Sequence, residues 1–223
     1  LANVDFDMQN RHHISYNLMM IHANTQSVGD YNGKNSIFSD DYENLGFTRR
    51  QQTNDNMLIV NQLMSNWGLT KSLSLDAGAS YNMVKGYEPD RRINNLTKAE
   101  DGYTLLRGNS QQRYFSTLDE DDLNVKAGLV YRLKDNIDEI SNIRFGYTGR
   151  FVDDNFKATE YNLTVGHVYT IPSLDNFSLD DYYNQENFAS DWFKIQKNLD
   201  EYTVKKNIHS AYAEATYQFT PRW

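Results

Sequence analysis

The sequence predicts an all-β fold, an antiparallel up-and-down meander of about six to seven strands. Three observations carry this. Several segments alternate apolar and polar residues with period two, the repeat that sends successive side chains to opposite faces of a strand. Short and long connections alternate strictly between those segments. The 223 residues contain only 3 Pro but 16 Tyr and 11 Phe, and no apolar run approaches the ~20 residues of a membrane-spanning helix.

Taken in order, Val4, Phe6 and Met8 alternate with Asp5 and Asp7, the tail of one strand, and residues 9–12 form a short turn. Ile14, Tyr16, Leu18 and Met20 alternate with Ser15 and Asn17, broken only by Met19. Residues 57–69 are apolar on both faces, so their register comes from the neighbour. If 70–72 is a three-residue turn, Leu69 faces Leu73, Trp67 faces Leu75 and Leu63 faces Ala79, leaving Asn61 and Ser65 as polar blemishes. Residues 73–83 are apolar at every odd position. Residues 123–133 repeat the pattern with Val130 as the exception, Ile143, Phe145 and Tyr147 continue it, and Ala211, Ala213, Ala215, Tyr217 and Phe219 close it. The turn at 70–72 and the connection at 134–142 are short, whereas 26–56, 84–122 and 152–206 read as three long loops. Long loops of this kind are functional more often than not.

Composition removes other classes. The net charge of −8 and the lack of a basic block argue against a nucleic-acid partner. No Cys means no disulfide framework, thiolate metal site or catalytic thiol. No charged segment followed by an apolar one opens the chain, so no signal peptide is expected within it. Patterns for zinc hydrolases, serine hydrolases and phosphate loops are missing, so no catalytic residue and no cofactor is expected.

An apolar face opposite a polar one suits either a soluble sandwich or a transmembrane barrel with a hydrated lumen. Segregation of short turns from long loops, polar-face charges at Asp76, Lys126, Arg144 and Glu214, and aromatics near strand ends (Trp67, Tyr81, Tyr131, Phe145, Tyr217, Phe219, Trp223) favour the barrel. The fold class is therefore a partial segment of a large outer-membrane β-barrel with long extracellular loops, because six or seven strands leave two open edges.

The stretch Gly86-Tyr87-Glu88-Pro89-Asp90-Arg91-Arg92, then Arg113-Tyr114-Phe115 and Asp119-Glu120-Asp121-Asp122-Leu123, resembles the barrel of TonB-dependent outer-membrane receptors. So do Ile143-Arg144-Phe145-Gly146-Tyr147 and Gly149-Arg150-Phe151-Val152-Asp153. The resemblance covers roughly 10–223 and points to the group that often carries a carboxypeptidase-like regulatory domain. It implies that residues 1–223 are part of a receptor barrel domain, with no plug and no TonB box in this chain. It implies energised uptake of a siderophore, vitamin, peptide or glycan across the outer membrane of a Gram-negative cell. The implied partners are outer-membrane lipid, the remaining barrel strands, the plug and the TonB complex. A surface lipoprotein is a further partner within that group, although no residue here bears on it.

Candidate ligand-binding residues are Tyr87, Asp90, Arg91, Arg92, Tyr103 and Arg107, since guanidinium forks and tyrosine rings grip polar, planar or carboxylate ligands. The competing reading of the same residues is salt bridging within the loop. His12 and His13 are adjacent, so a strand sends them to opposite faces and no metal site is expected. Acidic pairs at 40–41, 119–122, 153–154 and 180–181 lack calcium-loop spacing and read as solvated charge. The alternative functions are a passive porin or surface-adhesion barrel, and a soluble carbohydrate-binding β-domain suggested by abundant Tyr and Asn.

Overall fold

The computed structural model describes residues 1–8, 11–34, 45–105, 108–133, 141–165, 170–175, 183–190 and 193–219. They form one antiparallel up-and-down sheet of nine strands that does not close. The strands are β1 (Ala2–Met8), β2 (His12–Lys34), β3 (Leu45–Gly68), β4 (Leu73–Ala99), β5 (Gly102–Leu105), β6 (Gly108–Arg132), β7 (Asn142–Val165), β8 (Thr170–Ile171) and β9 (Phe193–Thr216). A short helix, α1 (Gln185–Ala189), precedes β9. Spatial order is β1-β2-β3-β4-β6-β7-β9, with β5 on β4 and β8 on β5. The partial strand followed by six full ones matches the expected meander.

The deduced register holds. Trp67 faces Leu75 and Leu63 faces Ala79, while the Leu69 amide donates to the Leu73 carbonyl at 2.9 Å. The rows continue across the sheet: His12, Trp67, Leu75, Leu129, Phe145 and Ala213 lie side by side. Two residues further along, Ile14, Ser65, Ala77, Ala127, Tyr147 and Ala211 form the next row. The two polar blemishes are satisfied where they stand. The Tyr16 hydroxyl donates to Asn61 Oδ1 at 2.8 Å, and Ser65 Oγ donates to the Ala77 carbonyl at 3.3 Å.

No second layer covers this apolar face among the described residues. Phe145 is 59% exposed, Leu63 50% and Leu129 44%, values unlike a soluble core. The limit of the apolar run also moves obliquely across the rows. Met57 faces Lys85, Met83 faces Asp121, and Phe151 faces Asn207, whereas Leu123 and Phe151 are level. At the other limit Tyr217 and Phe219 carry the β9 series beyond the first paired residue of β7. The band therefore crosses the strands at a slant, as a plane crosses the tilted strands of a barrel.

The three long loops are largely not loops. β2 and β3 stay paired to Lys34↔Leu45, β4 pairs with β6 to Asn94↔Gln111, and β7 pairs with β9 to Val165↔Phe193. β3 has 24 residues, roughly 80 Å at ~3.3 Å per residue. Its apolar part spans less than half of that, so stiff hairpin arms project far beyond the band. Their residues are mostly polar on both faces, and a continuous backbone ladder runs along them.

The compact hydrophobic core sits at the far end of these arms. Phe47, Leu96, Leu105, Val165, Ile171 and Phe193 cluster there, each 4% exposed or less, with Tyr103, Leu174, Tyr183 and Phe188 packed against them. β5, β8 and α1 fold over the arm tips to make this cap. The turn into β5 requires Gly102, whose φ is +134° and where a Cβ would meet the Ile171 carbonyl oxygen at 2.3 Å.

Candidate functional site

The face opposite the apolar band carries the chemistry. Glycines hollow it: Gly78 faces Lys126, and Gly146 pairs with both Gly128 and Tyr212. The Tyr212 ring lies across Gly146, where a Cβ would come within 2.2 Å of Cζ, and its hydroxyl reaches over Gly128. An aromatic ring covering a strand glycine restores the packing that the missing side chain gives up. Beside it an open depression of about 350 Å³ is lined by His13, Asn66, Asp76, Arg144 and Tyr212 among others. A second depression of about 380 Å³ continues from it past Gly78, Ser80, Asn124, Lys126 and Arg150. The expected polar-face charges Asp76, Lys126, Arg144 and Glu214 thus share one grooved surface. Arg150 grips Asp122 through Nε and Nη2 at 3.0–3.2 Å, with Asn124 donating to the same carboxylate.

The predicted ligand-binding residues divide among three places. Pro89 and Asp90 occupy an irregularity in β4, whose register shifts between Glu88 and Arg91 against β6 and between the Gln51 and Asp55 partners on β3. Pro lacks the ladder donor, so a central strand accepts it only at such a bulge. There Asp90 receives Arg92 Nε at 2.6 Å and Arg113 through Nε at 3.1 Å and Nη2 at 2.6 Å. Burial works to raise the Asp90 pKa, but the hydrogen bonds from Arg113 and Arg92 outweigh it and hold the carboxyl below its ordinary range. Arg113 was not among the predicted residues. It lies 23 positions from Asp90 in sequence, and only strand pairing joins them.

Arg91 points to the other face, 4.0 Å above the Tyr114 ring centroid and 3.6 Å from Glu88. Such a cation–π contact adds to whatever the ion pair contributes. Tyr87 is 51% exposed on the arm, on the face shared with the apolar band. Tyr103 belongs to the distal core, its ring centroid 6.0 Å from that of Phe47. Arg107 lies outside the described residues, as do Trp223 and the acidic pairs at 40–41 and 180–181.

A second charge clamp joins the arms of β2 and β3. Arg49 bonds Asp30 in a two-point fork, 2.8 Å at each contact. That hydrogen bond is the main cause of a lowered Asp30 pKa and a raised Arg49 pKa. The histidines separate as expected: His12 packs on Trp67 with ring centroids 4.9 Å apart, and His13 meets Asp7 at 2.7 Å on the other face. Among the described residues no three His, Cys, Asp or Glu side chains converge as a metal site.

Compared with known proteins, the chain matches no protein-family model and no curated protein. Among the described residues the molecule shows an open antiparallel meander with one uncovered apolar band, one grooved polar face and long paired arms.

Proposed function

We propose that this chain forms part of the wall of a plugged outer-membrane transport barrel of the TonB-dependent receptor kind, serving energised uptake of a nutrient. The observation that carries the membrane part is the uncovered apolar band, slanted across the strands and backed by a hydrated, charged face. A soluble sandwich would bury that band beneath a second sheet. Leu73 to Met83 covers about 33 Å of strand, or roughly 25 Å of height at a tilt near 40°, which fits a bilayer. Asn61 and Ser65, the polar side chains inside the band, both have partners, as a medium without water demands. The receptor part rests on the resemblance of 86–92, 113–123 and 143–153, and on arms long enough to project from the surface. In this reading Asp76, Lys126, Arg144 and Arg150 face the lumen, and the Asp90–Arg92–Arg113 and Asp30–Arg49 clamps stiffen the extracellular arms.

Because the chain has no native Cys, single spin-labelled cysteines test the two faces in outer-membrane vesicles of the parent protein. Labels at Leu75, Ala77 and Ala127 are expected to be relaxed by oxygen, and labels at Ser74 and Asn124 by a water-soluble nickel chelate. Equal nickel accessibility on both faces rejects the membrane wall. Uptake that ceases when the proton-motive force is collapsed supports a receptor, whereas unchanged uptake supports a passive porin.

A further inference from the structure

Beyond the apolar band, on the same face, the sheet carries a polar hollow that neither the band nor the opposite groove accounts for. The β3–β4 ladder stops at Gln51↔Arg92 and resumes at Asp55↔Tyr87, so three residues of β3 oppose four of β4. One extra residue opens the pairing and bends the bulged strand, and such bulges are common beside functional sites. At this interruption lies an open depression of about 360 Å³, lined by Gln26, Val28, Gln51, Thr53, Asp90 and Arg92 among others. Register puts it on the band face. Val28, Gln51 and Arg92 form one row with Arg113, which is an even number of residues from Leu129 along the unbroken pairing of β6 with β7.

The lining is of two kinds. Asp90 is committed to Arg92 and Arg113. Among the described residues no hydrogen bond engages the side chains of Gln26, Gln51 or Thr53. Two amides and a hydroxyl offer donors and acceptors together. Val28 is 66% exposed, and Tyr87, at the pair where the ladder resumes, is 51% exposed. That combination fits a saccharide, whose hydroxyls both donate and accept and whose ring carbons pack on apolar or aromatic surface. A bare anion would call for donors alone.

Height selects the source of the sugar. Met57 ends the apolar band on β3, and Thr53 and Gln51 lie four and six residues beyond it. That is about 13–20 Å of strand, or roughly 10–15 Å of height at a tilt near 40°. The headgroup layer of a phospholipid leaflet adds only about 5–8 Å to the hydrocarbon. A lipid that fills the depression therefore carries several sugars. Resting on the membrane-wall reading above, we propose that the depression is a docking site for the saccharide head of an outer-leaflet glycolipid. The apolar band meets its acyl chains, while Gln26, Gln51 and Thr53 hold its sugars. The site lies on the outside of the wall, off any path through the lumen.

Spin labels on V28C and K157C variants test this with the protein in vesicles of phospholipid alone or with lipopolysaccharide in the outer leaflet. Lys157 lies six residues beyond Phe151 on the same face, so its label samples the same height away from the depression. In phospholipid alone both labels are expected to be relaxed by the water-soluble nickel chelate. With lipopolysaccharide the V28C label is expected to lose most of that relaxation and the K157C label to keep it. Adding Gln51→Ala and Thr53→Val is expected to restore relaxation at V28C. No loss at V28C, equal loss at both positions, or protection that survives both substitutions overturns the proposal. Lipopolysaccharide trimmed to its lipid-proximal sugars is expected to leave V28C accessible. Full protection by the trimmed lipid, or by the free saccharide without lipid, overturns a glycolipid held at this height. The labels at Ala77 and Ser74 keep the two readings apart. Ala77 in lipid with V28C unprotected defeats the glycolipid site alone, whereas nickel reaching both faces removes the membrane wall on which it rests.

Discussion

Ala77 offers the sharpest test of which medium meets the apolar band. It lies in the row of Ile14, Ser65, Ala127, Tyr147 and Ala211, midway between Leu73 and Tyr81 on β4. Four residues separate it from either neighbour, about 13 Å of strand or roughly 10 Å of depth at a tilt near 40°. An arginine there cannot bring its guanidinium fully to either surface, so Ala77→Arg is expected to cost about 2–4 kcal/mol. Lys85, four residues beyond Tyr81, already carries a charge on the same face, and Lys85→Arg is expected to be nearly neutral. Ser74→Arg on the polar face supplies the control, with an expected change below about 0.5 kcal/mol. The measurement is reversible urea unfolding of the protein in lipid bilayers, read at unchanged denaturant slope. If Ala77→Arg costs no more than Ser74→Arg, the apolar face does not meet hydrocarbon and the membrane assignment fails.

Other perturbations probe the remaining parts. Gly146→Ala places a Cβ where the Tyr212 ring now lies and is expected to cost about 1–3 kcal/mol through overpacking, with Tyr212→Ala relieving part of it in the double variant. Phe193→Ala removes a ring that is 2% exposed in the distal core; about 3–5 kcal/mol is expected, seen as faster hydrogen exchange in β5 and β8 with the apolar band unchanged. Asp90 has a folded pKa below its unfolded value, so its stabilisation is fully present above about pH 4 and is lost as pH falls through the folded value. Asp90→Asn is expected to remove that acid-side slope in arm stability, and an unchanged slope would show that the clamp contributes nothing.

Much of the sheet around the apolar band was legible in the sequence. Period-two alternation at 73–83 and 123–133 identifies strands because apolar side chains occupy only one face of each. A three-residue turn then leaves one register that keeps Trp67 with Leu75 and Leu63 with Ala79. The arms were not legible. Their strands are mostly polar on both faces, so the pairing of 84–94 with 111–120 leaves no periodic signal and reads as loop. The same reason hid the Arg113 partner of Asp90, and it grouped Tyr87, Asp90, Arg91 and Tyr103 as one candidate site although a bulge, a face and a separate core divide them.

By itself, then, the sequence determined the strands wherever apolar and polar residues alternate, and with them the register and the separation of the two faces. Tertiary structure alone decided how far the strands run, where the bulge at Pro89 re-aims them, and how Phe47, Leu96, Leu105, Val165, Ile171 and Phe193 meet. Those features depend on backbone pairing and on contacts between residues far apart in the chain. Neither leaves a local pattern in the order of side chains.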